Sequence, residues 1–393
     1  MLPRIRAISL GFVVLTLGAT LAAQAASPVV AGIATVPRLT IQSDTNVLNQ
    51  VQYTTNLSQG PWLTLTNLSV AQSPYWFADL TAPPTPARYY RVLSISPPSG
   101  MALVPAGPFI MGDDFAEGGT NEVPVHAVSV SGFYMDTNLV TYTLWQQVYQ
   151  WATNHGYSFD NAGSFYSGYN YSKGPTHPVH LVNWYDAVKW CNARSEMQGL
   201  GPCYYTSSAQ TAVYRSGELT LSSACVNWSA NGYRLATEAE WEKAARGGAT
   251  GRRFPWTDAN TISWSRANYY GAPADFAYDL SSNNGYHPVF SADSVQPFTS
   301  PAGYFPPNGY GLYDMSGNVW EWCWDWYDAA WYSNGGATLS DPRGPATGAS
   351  GSRVVRGGSW YDYAAYARCS YRGYNIPPAA AYSNVGLRCV RGL

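Results

Sequence analysis

The chain has 393 residues, which is long enough for a large hydrophobic core and for more than one domain. Charged residues account for only 12% of the chain and the formal net charge is −2, which excludes the basic surface that a nucleic-acid partner requires. Aromatic residues reach 15%, and 37 glycines with 27 prolines predict many turns and irregular loops.

The N-terminal segment has the form of an export signal. Arg4 and Arg6 precede an apolar run over residues 7–23, and Ala23-Gln24-Ala25 fits a small-residue cleavage site. The alternative is a membrane anchor, but the run is short and rich in alanine at its end. The sequence therefore predicts a signal peptide over residues 1–25 and no membrane span after its cleavage. The expected location is secreted, periplasmic or at the cell surface.

Residues 28–97 have the pattern of a small all-β module. Leu39 and Ile41 alternate with polar residues, as do Val51 and Tyr53, and turn-forming residues separate these segments. A period of two predicts short antiparallel strands, arranged as a β-sandwich or a sheet. No catalytic residues cluster here, so the module is interpreted as a spacer or an adhesion module.

The rest of the chain, residues 101–393, opens with predicted strands over 102–111, 126–130 and 133–135. Residues 201–231 alternate Thr, Val, Tyr and Leu, which predicts a hairpin. Beyond residue 248 the chain is expected to consist mostly of loops and short strands.

Three helices are predicted in this second region. The first follows Thr141, where apolar residues recur at helical spacing, and the second covers residues 184–197. The third begins at Thr237, which forms a capping box with Glu240. The glutamates of this segment are therefore interpreted as helix-start residues, not as paired catalytic acids.

Two motifs near the C-terminus concentrate glycine, tryptophan and carboxylate residues. The first spans 308–322 and the second is Arg356-Gly357-Gly358-Ser359-Trp360. With the segments at 103–107, 233–242 and 385–389, they resemble the formylglycine-generating enzymes, or sulfatase-modifying factors, over residues 101–393. The resemblance implies an α+β, loop-rich variant of the C-type lectin fold. It does not by itself imply the family's chemistry.

The resemblance also implies one or two structural Ca²⁺ ions, which take six to eight oxygen ligands including backbone carbonyls. The ligand positions of the family's first site are occupied here by Asp314, Gly317, Val319 and Glu321. Those of the second site are occupied by Asn268, Tyr269, Asn284 and Tyr286, with Asn284 in place of an aspartate. The alternative is that these polar groups only tie loops together.

Copper is not expected, although the resemblance implies a copper ion held by two cysteines just after the Gly-Gly-Ser-Trp motif. Soft thiolates suit Cu(I), but Asp362 occupies the first of these positions and Ala367, near a gap in the correspondence, the second. His177 and His180 do not supply another metal helix, because Pro178 lies between them. No catalytic residue is therefore assigned.

Six cysteines fit an oxidising compartment, and sequence alone leaves fifteen pairings open. The resemblance implies a Cys191–Cys389 disulfide. Its second disulfide would need a cysteine at position 245, where this chain has alanine. Cys203 and Cys225 flank the 201–231 insertion and are expected to close it. Cys323 is then left for Cys369.

The C-terminal segment is rich in tyrosine, a residue that binding loops favour because it offers rigid contact area at low entropic cost. The predicted ligand-binding residues are Trp320, Ser359, Trp360, Tyr361, Asp362, Tyr363, Tyr366, Tyr371, Tyr374 and Tyr382. The fixed sequence on both sides of them is similar to the variable proteins of diversity-generating retroelements. An ordinary aromatic surface of a divergent family member is the alternative.

The sequence thus favours an exported, non-catalytic protein that binds a protein or glycan ligand through its tyrosine-rich C-terminal face. The alternative is a formylglycine-generating-type oxidase, or an accessory acting on sulfatases or other exported proteins.

Overall fold

The structure is a computed structural model. It describes residues 37–43, 47–58, 61–69, 73–82, 88–164, 173–348, 350–373 and 376–393. The predicted signal peptide and Tyr374 lie outside these ranges. The chain divides into two compact units, Met1–Pro97 and Pro98–Leu393. Within the described ranges, no helix has the length and apolar character needed to cross a bilayer.

The described part of the first unit has only strands as regular secondary structure. β1 (Arg38–Ile41) pairs antiparallel with β4 (Tyr75–Ala78). β2 (Leu48–Thr54) lies between β3 (Leu63–Ser69) and β5 (Tyr89–Ile95) and is antiparallel to both. The all-β prediction for this unit is confirmed.

The second unit is α+β and loop-rich, as predicted, and its largest sheet contains the last strand of the chain. Its strands are β6 (Met101–Val104), β9 (Phe133–Asp136), β10 (Tyr233–Leu235) and β14 (Cys389–Gly392). Their order in the sheet is β10-β14-β9-β6, and all neighbours are antiparallel. Pairing on both edges of β14 fixes the C-terminus in the interior of the sheet.

The predicted strand over 102–111 is interrupted. β6 ends at Val104, and β7 (Gly107–Met111) pairs instead with β8 (His126–Val130). Pro105 has no amide hydrogen to donate, and Gly107 has a φ of 128°, which other residues resist. These two residues turn the chain from one sheet into the next.

A third sheet brings the two C-terminal motifs together. β11 (Trp320–Trp326) is antiparallel to β12 (Arg353–Arg356) and parallel to β13 (Val385–Gly386). The 308–322 motif therefore ends beside both the Gly-Gly-Ser-Trp motif and the closing segment of the chain.

The three predicted helices are confirmed. In α1 (Tyr142–Thr153), the Thr141 hydroxyl accepts a hydrogen bond from the Leu144 amide at 3.2 Å. α2 (Trp184–Met197) begins after Asn183, whose side chain caps it. α3 (Glu238–Ala245) has the complete capping box of Thr237 and Glu240.

The hairpin predicted over residues 201–231 is wrong, because this insertion forms only isolated bridges and one short 3-10 turn. The side chain of Asn192 replaces a strand partner. Its Oδ1 accepts from the amides of Cys203 and Tyr204, and its Nδ2 donates to the carbonyl of Tyr204 at 2.8 Å. One buried side chain in α2 thus satisfies backbone groups that a ladder would otherwise pair.

Most of the buried acids in this unit have an arginine partner. The ion pairs with nearly enclosed side chains include Asp136–Arg194, Glu122–Arg368, Glu238–Arg372, Glu240–Arg234, Glu242–Arg246 and Glu321–Arg388. Although the chain has few charged residues, many of them are buried in this unit, where an opposite charge is needed to offset the loss of hydration. A carboxylate without such a partner is an exception to this pattern.

Candidate functional site

Backbone hydrogen bonds hold the predicted binding segment against β11 and β13. The Trp360 amide donates to the Asn318 carbonyl at 2.9 Å, and the Trp320 amide donates to the Asn384 carbonyl at 2.8 Å. Three segments that are distant in sequence therefore meet at Ser359, one residue beyond the double glycine.

Gly358 lies so close to the backbone of Tyr366 that no side chain would fit between them. Its φ is 72°, and a Cβ atom built on it would lie 3.0 Å from the carbonyl oxygen of Tyr366. Any larger residue would meet backbone atoms there, so glycine is required for steric as well as conformational reasons. The contact fixes the 3-10 turn Ala364–Ala367 beneath the tyrosines that flank it.

Asp362 follows the Gly-Gly-Ser-Trp motif by two residues, and the described side chains that form hydrogen bonds with its carboxylate are all neutral. The Ser359 hydroxyl donates to its carboxylate, and the Asn384 amide donates to the same hydroxyl at 3.3 Å. Burial raises the pKa of Asp362, while hydrogen bonds from Ser359, Trp320 and Asn384 act in the opposite direction. Among the described residues, no Arg, Lys or His forms an ion pair with it.

The tyrosines next to Asp362 in sequence make ring contacts with tyrosines of other loops. Tyr363 meets Tyr270 edge to face at a centroid distance of 5.3 Å, and Tyr366 meets Tyr371 at 4.7 Å. Tyr361 lies 6.2 Å from Tyr286. We call this group the tyrosine face; its members are Tyr270, Tyr286, Tyr361, Tyr363, Tyr366 and Tyr371, together with Asp362.

The predicted binding residues are not all alike in exposure. Tyr361 and Tyr363 are 57% and 43% exposed, whereas Trp320 and Trp360 are buried supports. Tyr382 is 47% exposed, but no ring contact joins it to the tyrosine face within the described part of the chain. The tyrosine face therefore offers an aromatic contact surface that includes one acid, Asp362.

Two members of the tyrosine face were not predicted as ligand-binding residues. Tyr270 joins it through a bridge to Tyr363, and Tyr286 through its ring, although its predicted role was as a calcium ligand. Both lie more than seventy residues before the C-terminal cluster, so local composition gives no signal for them. The only indication of these two loops was the resemblance to a calcium site at Asn268, Tyr269, Asn284 and Tyr286.

The positions that correspond to copper ligands carry no thiol. Asp362 is in the tyrosine face, and Ala367 is buried, with its carbonyl accepting from the Ser316 hydroxyl at 2.6 Å. The nearest cysteine in sequence, Cys369, is fully buried in the hydrophobic core.

Asp314, the leading residue of the first predicted calcium site, has an unsatisfied oxygen. Its Oδ2 accepts from the Gly303 amide at 2.6 Å, but its buried Oδ1 has no hydrogen-bond donor among the residues that the structure describes. Burial raises the pKa of Asp314 to about 6, with Glu321 adding to the rise and Arg388 opposing it. A buried carboxylate oxygen without a donor fits the coordination of a hard cation.

Asn138 supplies a second unsatisfied oxygen near this position, which the sequence did not indicate. Its Oδ1 is buried without a donor and would lie 2.6 Å from a Cβ atom on Gly303. Because the Gly303 amide also binds Asp314, both unsatisfied oxygens adjoin the same residue. An amide oxygen is an ordinary calcium ligand.

Glu321 fits less well than Asp314. Its carboxylate accepts from the guanidinium of Arg388 at 3.0 Å and from the Trp241 indole at 2.8 Å. A cation would have to share it with these donors. Gly317 and Asn318 have φ values of 80° and 67°, so the loop before Val319 turns tightly. No group of three or more His, Cys, Asp or Glu within the described ranges is arranged to hold a metal, so carbonyl and amide oxygens would be needed.

The second predicted calcium site is only partly compatible with a cation. Asn268 is buried and its Oδ1 has no donor, as a ligand would require. The Tyr269 carbonyl, however, already accepts from the Trp264 indole at 3.2 Å, and Asn284 is exposed. Asn268 is the one residue among these four predicted ligands with a buried side-chain oxygen that has no donor within the described ranges.

All six cysteines are buried and carry free thiols in the structure. The sulfur atoms of Cys191 and Cys389 lie 3.6 Å apart, and burial raises the pKa of Cys191. Cys323 and Cys369 belong to one hydrophobic cluster. The pairings Cys191–Cys389, Cys203–Cys225 and Cys323–Cys369 stay predictions.

His177 and His180 are buried in a segment without regular secondary structure, in agreement with a packing role. His177 bonds Thr299 at 2.9 Å, and burial lowers its pKa to about 4. A cleft of about 510 Å³ elsewhere in the unit is lined by Trp324, Trp326 and Trp331, none of which is in the tyrosine face.

Comparison with known proteins places these features in context. The profile of the sulfatase-modifying factor enzyme 1-like domain matches residues 94–393. The chain is 33% identical over 311 residues to a formylglycine-generating enzyme of Streptomyces coelicolor, covering 74% of this chain and 88% of that protein. It is 32% identical over 272 residues to a protein named chaperone protein LppX of Paenibacillus barcinonensis, covering 67% and 81% respectively.

A solved structure with a similar fold is Treponema denticola variable protein 1. The TM-score is 0.54 and the identity 30%, over 75% of this chain and 95% of that one.

Proposed function

The chain belongs to the sulfatase-modifying factor family and has that family's α+β, C-type-lectin-like fold. From this premise we propose that it is an exported, non-catalytic member of the family. We propose further that it binds a protein or glycan ligand through the tyrosine face. The observation that carries the proposal is Asp362. A hard carboxylate, bonded to Ser359 and flanked in sequence by Tyr361 and Tyr363, stands where the resemblance requires a soft thiolate.

The exposure of the tyrosine face supports a binding role. Tyr361 and Tyr363 leave about half of their surface open, while Trp320, Trp360 and Gly358 fix the backbone beneath them. Rigid aromatic side chains on a fixed frame lose little entropy when they bind. The likeness to a protein named a variable protein supports the interpretation that this segment is a diversified binding region.

We also propose a structural Ca²⁺ ion at Asp314, and leave Asn268 as a second candidate. The supporting observations are the unsatisfied oxygens of Asp314 and Asn138. All ligands would come from the protein, so the ion would stabilise the loops beside β11 rather than take part in a reaction.

The ligand-binding proposal can be tested with glycan and protein arrays probed with the exported chain. Tyr361→Ala with Tyr363→Ala should abolish the positive signals and leave the melting temperature nearly unchanged, because both rings are largely exposed. Tyr304→Ala is the matched control, since Tyr304 is 55% exposed and lies outside the tyrosine face. Equal losses in the control and the double variant would contradict the proposal.

The second candidate is a formylglycine-generating-type oxidase or an accessory to exported proteins. Similarity to a formylglycine-generating enzyme and to a protein named a chaperone favours it. Incubation with copper and a cysteine-containing sulfatase peptide, followed by mass spectrometry, tests the oxidase. Aldehyde formation by the purified chain would overturn the non-catalytic proposal.

A further inference from the structure

We propose that the tyrosine face recognises an organic cation, with Asp362 as the counter-charge. The inference rests on the proposed ligand-binding function and narrows it to ligands that present an ammonium or guanidinium group. A lysyl or arginyl side chain of a protein ligand has this chemistry.

The first argument is the missing ion-pair partner of Asp362. Other buried carboxylates of this unit, such as Glu238 with Arg372 and Glu240 with Arg234, are neutralised within the protein. Among the described residues, Asp362 receives side-chain hydrogen bonds only from neutral groups. No described cation of the protein compensates a charge on this carboxylate.

Some other acids also lack an ion pair among the described residues, but their surroundings differ. Asp279, Asp314 and Asp325 are 4%, 6% and 2% exposed, so protein encloses them. Asp362 is partly exposed and lies between Tyr361 and Tyr363, two of the most exposed tyrosines of the unit. Of these four acids, Asp362 is therefore the one with surface open to a ligand.

The second argument is the group of aromatic rings that includes Tyr363, the residue after Asp362. Tyr270, Tyr363 and Tyr366 form a continuous series of ring contacts, with centroid distances of 5.3 and 6.4 Å. Aromatic faces attract cations through their quadrupole, and a cation held by rings and a carboxylate gains from both. An anionic ligand would be repelled by Asp362.

The third argument is that the carboxylate is oriented in advance. Ser359 donates to it, Asn384 and the Tyr361 amide bond the Ser359 oxygen, and the Tyr270 amide fixes the Asp362 carbonyl at 2.9 Å. A ligand therefore does not have to order this side chain, which lowers the entropic cost of binding.

Calorimetric titration of the full exported chain tests the inference. The probes are n-butylammonium, n-butylguanidinium and tetramethylammonium chlorides, with neutral 3,3-dimethylbutan-1-ol as the shape-matched control and sodium chloride as the ionic-strength control. Binding of at least one cation should exceed that of the alcohol by roughly tenfold. The first two cations distinguish a lysyl from an arginyl source, and the third, which has no N–H donor, measures the binding that charge and rings give without hydrogen bonds.

Asp362→Asn keeps the shape and hydrogen bonds of the side chain but removes its charge, so it should weaken cation binding by about tenfold. Asp114→Asn, which removes an exposed acid outside the tyrosine face, should leave it unchanged. Equal binding by wild type and Asp362→Asn, equal binding of the alcohol, or no binding of any cation at the highest soluble concentration would overturn the inference. If the alcohol binds as well as the cations and the double variant Tyr361→Ala with Tyr363→Ala abolishes its binding, the ligand-binding proposal stands and the cation inference fails. If the double variant binds every probe as wild type does, both proposals fail.

Discussion

Arg388 and Glu321 form a buried ion pair that ties the end of the chain to the strand at the centre of the site. The guanidinium donates to both carboxylate oxygens at 3.0 Å and also reaches the carbonyls of Asp136, Thr137 and Tyr313. One arginine therefore links β9, β11 and the segment before β14.

Replacing Arg388 with methionine should destabilise the protein by about 3–5 kcal/mol, because Glu321 would remain buried without its counter-charge. Chemical denaturation measures the effect. The double variant Arg388→Met with Glu321→Gln should recover part of the loss, since the uncompensated charge is then gone. No recovery would show that the carbonyl contacts of Arg388, rather than the ion pair, dominate.

Calcium should raise the melting temperature of the EDTA-treated protein, and Asp314→Ala should remove most of that increase. The reason is that Ca²⁺ binding would satisfy the Asp314 Oδ1 atom, which has no donor among the described residues, and alanine supplies no oxygen in its place. Calorimetry with and without calcium chloride gives the comparison, with Asp114→Ala as the charge control. An equal calcium shift in wild type and Asp314→Ala would assign the ion to another position.

The stability of the calcium-free protein should depend on pH through the same carboxyl. Burial raises the pKa of Asp314 from 3.8 to about 6, so the folded state holds the proton more tightly than the unfolded chain. This contribution is fully present below the unfolded pKa and is lost as pH rises through about 6. In EDTA, the free energy of unfolding of wild type relative to Asp314→Asn should therefore fall between about pH 4 and pH 7. A difference that stays constant over this range would contradict the assignment.

Gly358→Ala should cost more stability than another left-handed glycine. At Gly358 the new methyl group would meet the Tyr366 backbone at 3.0 Å, whereas Gly351, with a φ of 69°, has no atom within 4 Å of the corresponding position. Backbone strain of about 1–3 kcal/mol applies to both, and the steric cost only to Gly358. Equal losses in the two variants, measured in urea, would mean that the turn can shift away from Tyr366.

Cys191 and Cys389 should form a disulfide when the protein is purified from an oxidising compartment. Their sulfur atoms lie 3.6 Å apart in the interior, and such a bridge contributes about 2–4 kcal/mol. Peptide mapping without reduction identifies the bridge, and Cys191→Ser with Cys389→Ser should lower the melting temperature. Recovery of both cysteines as free thiols from oxidised protein would contradict the prediction.

Local chemistry was sufficient to predict the helices but not the insertion. Thr141 and Thr237 cap helices with side chains one turn from their partners, so the signal lies within a few residues. The 201–231 segment has the alternation of a hairpin, but Asn192 outside it binds its backbone. Sequence spacing cannot indicate a partner that only the tertiary fold brings near.

The same distinction between local sequence signals and tertiary contacts applies to the residues of the candidate site. Tyr361, Tyr363 and Asp362 are adjacent in sequence, and composition alone marks them as a candidate binding segment. Tyr270 and Asn138 join their sites across long separations, through a ring contact and through Gly303. Neither belongs to a recognisable local motif for that role.

The position of β14 has a consequence for biosynthesis. The ribosome adds its residues long after those of β9 and β10, yet β14 lies between these two strands in the main sheet. That sheet therefore cannot close before residues 389–392 have been synthesised and have left the ribosome. A nonsense codon anywhere between β10 and residue 389 would leave β9 and β10 without their shared neighbour, so closure of the sheet reports that translation has passed β14.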